Sequence, residues 1–207
     1  MIDYLRDPEA IYARSFAMIR AEADLSAWAD DDRNIAERVI HACGMPDIVA
    51  DLRISEGFAD AARSALTSRR PIIADCEMVR QGIIASRLPR GIETLCLLND
   101  PRSRSIAAEK HTTRSAAAVS LWTDHLEGAL VVIGNAPTAL FALLEALDAG
   151  APRPAAIIAF PVGFVGAAES KAELLRDPRG CPYATLLGRR GGSAMASSVV
   201  NAIAGLT

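Results

Sequence analysis

Apolar positions along the chain follow two rhythms. Five short runs are apolar almost throughout: residues 71–75 (PIIAD), 94–98 (TLCLL), 129–134 (ALVVIG), 155–161 (AAIIAFP) and 184–188 (ATLLG). A run without polar alternation is the pattern of a strand covered on both faces. Between and after the later runs, apolar residues recur at helical spacing over 113–125, 137–149, 164–176 and 193–204. Strands alternating with helices predict a doubly wound α/β fold around a parallel sheet. Five strands so arranged predict the flavodoxin-like order 2-1-3-4-5. Residues 11–23 and 34–43 are amphipathic and predict extra N-terminal helices ahead of the sheet.

A length of 207 residues fits a single domain, 1–207. Hydrophobic residues make up 51% but aromatics only 5%, so aliphatic side chains must build the core. Net charge is −3 and no long basic run stands out, which argues against a nucleic-acid partner. Cys43, Cys76, Cys96 and Cys181 form no C-x-x-C pair, so neither a zinc site nor a redox motif is expected. Dispersed this way they read as buried thiols of a cytoplasmic protein. Residues 1–14 alternate charged and apolar positions, unlike a signal peptide. No uncharged apolar run reaches the roughly 18 residues of a membrane span.

In open α/β sheets, ligands bind beyond the carboxyl ends of the strands. Four segments after the predicted strands are therefore of interest. In Ile133-Gly134-Asn135-Ala136-Pro137-Thr138, Pro137 opens a helix. The free amides around Asn135 either receive an anion or belong to an ordinary turn. In the segment from Gly163 to Lys171, glycines allow a close backbone approach, and Lys171 either reaches an anion or pairs with Glu169 or solvent. Gly188-Arg189-Arg190-Gly191-Gly192-Ser193 combines glycines with arginines suited to carboxylates, and Ser193 is a candidate N-cap. Arg114 falls in the first turn of a helix, where the dipole disfavours a cation and a ligand would welcome one. Neither a dinucleotide fingerprint nor a Walker A loop occurs, so nucleotide binding would rest on fold analogy alone.

His41 lies in Glu37-Arg38-Val39-Ile40-His41-Ala42-Cys43-Gly44. It flanks an apolar stripe of Ile35, Ala36, Val39, Ile40 and Cys43, with Glu37 and Arg38 on its own side of the helix. Gly44 and Pro46 end that helix, so His41 sits in the last turn. The dipole there favours an imidazolium, with Glu37 placed to add to it. Such a histidine suits general acid chemistry, but spacing alone favours a histidine without a role. His111 and His125 carry no comparable context, and no histidine pair has metal-ligand spacing.

Seven stretches in order resemble the precorrin-8X methylmutase family: Ala13-Arg14-Ser15-Phe16, the segment 38–44, Asp75-Cys76-Glu77-Met78-Val79, Thr113-Arg114-Ser115-Ala116-Ala117, the segment 133–138, the segment 163–171 and Gly188 to Met195. The resemblance implies a flavodoxin-like homodimer that binds a polycarboxylate tetrapyrrole and needs neither metal nor cofactor. It implies migration of a methyl group from ring carbon 11 to ring carbon 12, giving hydrogenobyrinate. It places the catalytic histidine on His41 and substrate contacts on Ser15, Arg38 and Arg114. Asn135, Gly163, Lys171, Arg189, Gly191, Gly192 and Ser193 are the further substrate-binding candidates. The Gly-Gly-Ser-Ala-Met ending resembles the cobalt-free branch. The alternatives are a cobalt-precorrin-8 methylmutase and a non-catalytic tetrapyrrole carrier. Product hand-off to an amidating enzyme would suit such a site.

Overall fold

The computed structural model describes residues 2–206; Met1 and Thr207, the ends of the expected domain, lie outside the described residues. The chain opens with α1 (Pro8–Glu22) and α2 (Asp30–Cys43). Asp7 caps α1 by accepting the Glu9 N–H, and Pro8 occupies the first turn. Asp30, Asp31 and Asp32 fill the first turn of α2, where the helix dipole stabilises negative charge.

The sheet consists of β1 (Leu52–Ile54), β2 (Ile72–Ala74), β3 (Thr94–Leu95), β4 (Leu130–Ile133), β5 (Ala156–Ala159) and β6 (Tyr183–Leu186). Their order is β1-β6-β5-β4-β2-β3. Every pairing is parallel except β1 with β6. The expected five-stranded sheet is thus corrected to six strands. The sheet begins at Leu52, well before the first predicted strand, with an antiparallel edge too short to show a pattern in sequence. The five predicted strands run β3-β2-β4-β5-β6, so chain order reverses between β2 and β4.

Strand periodicity divides the core in two. Ile72, Ala74, Leu130, Val132, Ala156 and Ile158 face one layer, and Ile73, Val131, Ile133, Ile157 and Ala159 face the other. The first layer holds α1, α2, α3 (Phe58–Thr67), α4 (Glu77–Gly82) and α9 (Ser193–Ala204). The second holds α6 (Arg114–Val119), α7 (Pro137–Asp148) and α8 (Ala167–Arg176), with α5 (Pro101–Glu109) packed on α6. The helix expected over 113–125 is broken: α6 ends at Val119, and a 3-10 turn covers Thr123–His125. The helix expected from 164 begins at Ala167, because Gly163 and Gly166 adopt φ 143° and 79°. α2 packs along α9, which brings the last turn of α2 and the first turn of α9 to one place.

Candidate active site

His41 lies exposed in the last turn of α2, and Gly44 closes that helix in the left-handed conformation at φ 68°. Tyr12, Ser15 and Phe16 recur at helical spacing on α1 and face it. Ser15 Oγ lies 2.9 Å from His41 Nδ1. The Phe16 ring stacks on the imidazole at 5.1 Å between centroids, with Tyr12 at 6.1 Å. A hydroxyl donates to a bare Nδ1 and accepts from a protonated one. Ser15 can therefore hold the ring in either protonation state. Nε2, which has no protein partner among the described residues, is left to a ligand.

Glu37 does not assist His41. Arg20 on α1 donates to both its carboxylate oxygens, at 2.8 and 2.9 Å. The Glu37 side chain is buried in that pair, which binds α1 to α2 and fixes Ser15 over His41. Arg38 does share the side of His41. Its guanidinium lies 5.2 Å from the Tyr12 ring centroid and 5.1 Å from that of Phe16. Aromatic faces hold a cation without neutralising it. Arg38 Nε is buried and has no hydrogen-bond partner among the described residues.

Arg38 and His41 line a cavity of about 670 Å³ with Tyr12, Met78, Arg87 and Ser193 among its walls. None of its lining residues is Asp or Glu. A volume of several hundred Å³ suits a sizeable organic ligand. A second cavity of about 250 Å³ is lined by Gly163, Phe164, Arg189, Arg190 and Gly191, among others. Arg189 lies 5.5 Å from the centroid of the exposed Phe164 ring. The segment from Gly191 to Met195 runs between them: Ser193 and Ala194 line the first cavity, Gly191 and Met195 the second. Gly191 is required where it stands: an added Cβ would lie 2.4 Å from the Phe160 carbonyl oxygen. Gly192 donates its N–H to the same carbonyl and takes the cap position of α9, so Ser193 is its first helical residue rather than its N-cap. Ser193 Oγ lies 3.4 Å from Cys76 Sγ.

Three expected site residues stand elsewhere. The amides around Asn135 are not free: Gly134, Asn135 and Ala136 donate to the Asp75 carboxylate at 2.9, 3.0 and 2.8 Å. Asp75 directly follows β2 where strand order reverses, the usual ligand position of a doubly wound sheet. There the chain's own carboxylate takes up the amides. Arg114 is exposed at the start of α6 and is not among the residues lining the cavity of His41. Lys171 is fully buried and donates to the Arg190 carbonyl oxygen at 2.6 Å. It props the arginine-glycine loop from beneath and is out of a ligand's reach. Arg190 in turn binds Asp47 and Asp51, just beyond α2.

Burial pushes the Lys171 ammonium down to about 8, with the charge of Asp51 opposing. The folded value lies below the unfolded value of about 10.4. Between them the unfolded chain holds a proton that the folded chain lacks, so raising the pH favours the folded state. Wild type should therefore gain about 3 kcal/mol relative to Lys171→Met between about pH 7 and about pH 10.5. Urea unfolding of both proteins across that range measures it. A stability difference that stays constant with pH contradicts the buried charge.

The sequence did not reveal Tyr12, Met78, Ile84, Arg87 or Asn201 as cavity residues. Tyr12 was legible in principle from its spacing to Ser15 and Phe16. The others meet only through packing of α4 and the following turn on α9.

An α/β protein with an acid-free cavity, unpaired arginine and a hydroxyl-held histidine is suited to gripping a large anion and exchanging a proton with it. The family described as CbiC, precorrin-8X methylmutase, matches residues 10–206. The chain is 57% identical to a precorrin-8X methylmutase of Pseudomonas aeruginosa over 99% of this chain and 98% of that one. It is 52% identical to one from a Sinorhizobium species, over 98% and 96% of the two chains. Among solved structures, the precorrin-8X methylmutase of Thermus thermophilus superposes with a TM-score of 0.85 at 34% identity, covering 95% of this chain and 96% of that one. The chain belongs to the precorrin-8X methylmutase family and is an isomerase of cobalamin biosynthesis.

Proposed function

We propose that the chain converts precorrin-8X to hydrogenobyrinate by moving a methyl group from ring carbon 11 to ring carbon 12 within one molecule, with His41 lending and recovering a proton. The observation that carries this reading is the acid-free cavity that joins His41 to Arg38. Substrate and product are isomers, so the step needs no oxidant and no second substrate. The site has to fix the macrocycle and change its electronics. Arg38, held over Tyr12 and Phe16 without a carboxylate, is free to bind an acetate or propionate arm. Exposed Tyr12, Met78 and Ile84 offer apolar contact to the ring system. Gly163, Arg189 and Gly191 at the second cavity suit a further carboxylate arm. His41 Nε2 then protonates a ring nitrogen as the methyl group moves and retrieves that proton afterwards.

The same reading takes the chain as one functional unit, working in the cytoplasm as a homodimer. Tyr4, Leu5, Ile11 and Met18 are exposed on α1 and the residues before it, apolar surface that a second copy would cover. Arg114 keeps a part in substrate binding only if that copy brings it to the cavity. Among the described residues no helix is long and apolar enough to cross a membrane. A metal-free substrate is favoured because the relatives at 57% and 52% identity carry the precorrin-8X name. Hand-off of product to an amidating enzyme would complete the scheme.

Absorbance tests the reading. Incubated with precorrin-8X, the protein should give the hydrogenobyrinate spectrum, and faster than it turns over cobalt-precorrin-8. Turnover of the cobalt form alone would move it to the other branch. A coloured complex whose pigment never changes would make it a carrier.

A further inference from the structure

We propose that Arg87 binds a carboxylate of the substrate and that Asn201 is the positioning residue that holds Arg87 at the cavity. The proposal rests on the tetrapyrrole reading above and adds a contact from outside the α1–α2 pair. Arg87 ends a short 3-10 turn, Ala85–Arg87, that follows α4. It lines the same cavity of about 670 Å³ as Arg38 and His41. No carboxylate among the described residues pairs with its guanidinium, whereas Arg80, a few residues earlier, is bound to Glu77 at 2.7 Å. With no Asp or Glu in the lining, a cavity that presents both Arg38 and Arg87 is short of negative charge. A ligand bearing several carboxylates supplies it.

The segment that carries Arg87 is fastened to α9 by one side chain. Asn201 accepts the Ile84 N–H at 2.8 Å and donates to the Gly82 carbonyl oxygen at 2.9 Å. Asparagine is a poor residue for a helix interior. Here its amide satisfies two backbone groups of a segment that makes no regular ladder of its own. Gly82 comes so near α9 that an added Cβ would lie 2.4 Å from Ser197 Oγ. With that approach, Ile84 and Arg87, both exposed, line the cavity. Arginine at that point selects for a carboxylate arm by two parallel N–H donors, a geometry that lysine cannot copy.

Binding of hydrogenobyrinate, followed by its absorbance, tests both residues. Arg87→Ala should raise the Kd about tenfold, the loss of one charge-assisted contact. KM for precorrin-8X should rise in step while kcat falls no more than about threefold, because uniform binding is lost rather than transition-state contact. Arg87→Lys should recover only part of the affinity. Asn201→Ala should weaken binding less than Arg87→Ala, and the double variant should bind no worse than Arg87→Ala alone, since Asn201 acts through Arg87. An Arg87→Ala protein with wild-type Kd and KM overturns the contact. Additive losses in the double variant overturn the positioning role. Wild-type protein that binds no tetrapyrrole overturns the parent reading and this proposal with it.

Discussion

His41→Ala is expected to bind the tetrapyrrole almost as wild type does and to lose turnover by about a hundred- to ten-thousand-fold. The split follows from where the side chain sits. His41 is exposed, and its own contacts are to Ser15 and the rings of α1, so its removal opens no hole in the core. Arg38 and Arg87 still line the cavity. What disappears is the imidazole to which the proposed chemistry assigns the proton transfer. Ser15→Ala leaves that group in place and removes only the hydroxyl that steadies Nδ1, so a smaller loss of kcat is expected. Single-turnover absorbance with enzyme in excess follows conversion of bound pigment, and a titration of each variant with hydrogenobyrinate follows binding. Conversion by His41→Ala at the wild-type rate would remove the histidine from the chemistry.

The second large effect concerns folding. Asp75→Asn is expected to cost about 3 kcal/mol of stability. Asp75 is almost fully buried, and burial pushes its carboxyl up while the three amides of residues 134–136 pull it down. An asparagine keeps one acceptor oxygen and turns an NH₂ toward the remaining donors. At least one backbone N–H is then buried against another donor. Each unsatisfied group of this kind costs about 1–3 kcal/mol. In a chain of this size about 1 kcal/mol moves the melting temperature by roughly 2–4 °C. A fall of about 6–12 °C is therefore expected by calorimetry. An unchanged melting temperature would mean that the amides at the β4–α7 junction find other partners at no cost.

The same junction shows where reading the sequence stops. Runs such as LVVI and AIIA announced buried strands, because both faces of β4 and β5 are covered. Three-residue β1 carries no such signal, and α4 is too short for one, so the antiparallel edge and the Arg87 wall were invisible. Pro137 correctly marked a helix start with amides to satisfy. Nothing local said that a carboxylate 60 residues earlier satisfies them, since only the β2–β4 pairing brings Asp75 there. Lys171 is the converse case. Its neighbours in sequence suggested a surface cation, but the first turns of α8 pack under the loop after β6 and bury it. Glu37 sat on the expected side of α2, yet the sequence could not show that Arg20 from another helix would claim it. His41, Ser15, Arg38 and Ser193 do gather at one site. Periodicity placed His41 and Arg38 on one side of α2, and the family resemblance is what singled out Ser15.

The central claim is that this site moves a methyl group within one bound macrocycle. Precorrin-8X carrying carbon-13 in the methyl group on ring carbon 11 tests it directly by NMR. The label should appear on ring carbon 12 of hydrogenobyrinate, with no exchange between labelled and unlabelled molecules in a mixed sample. A label that stays on ring carbon 11 in the bound pigment, or that crosses between molecules, would contradict it.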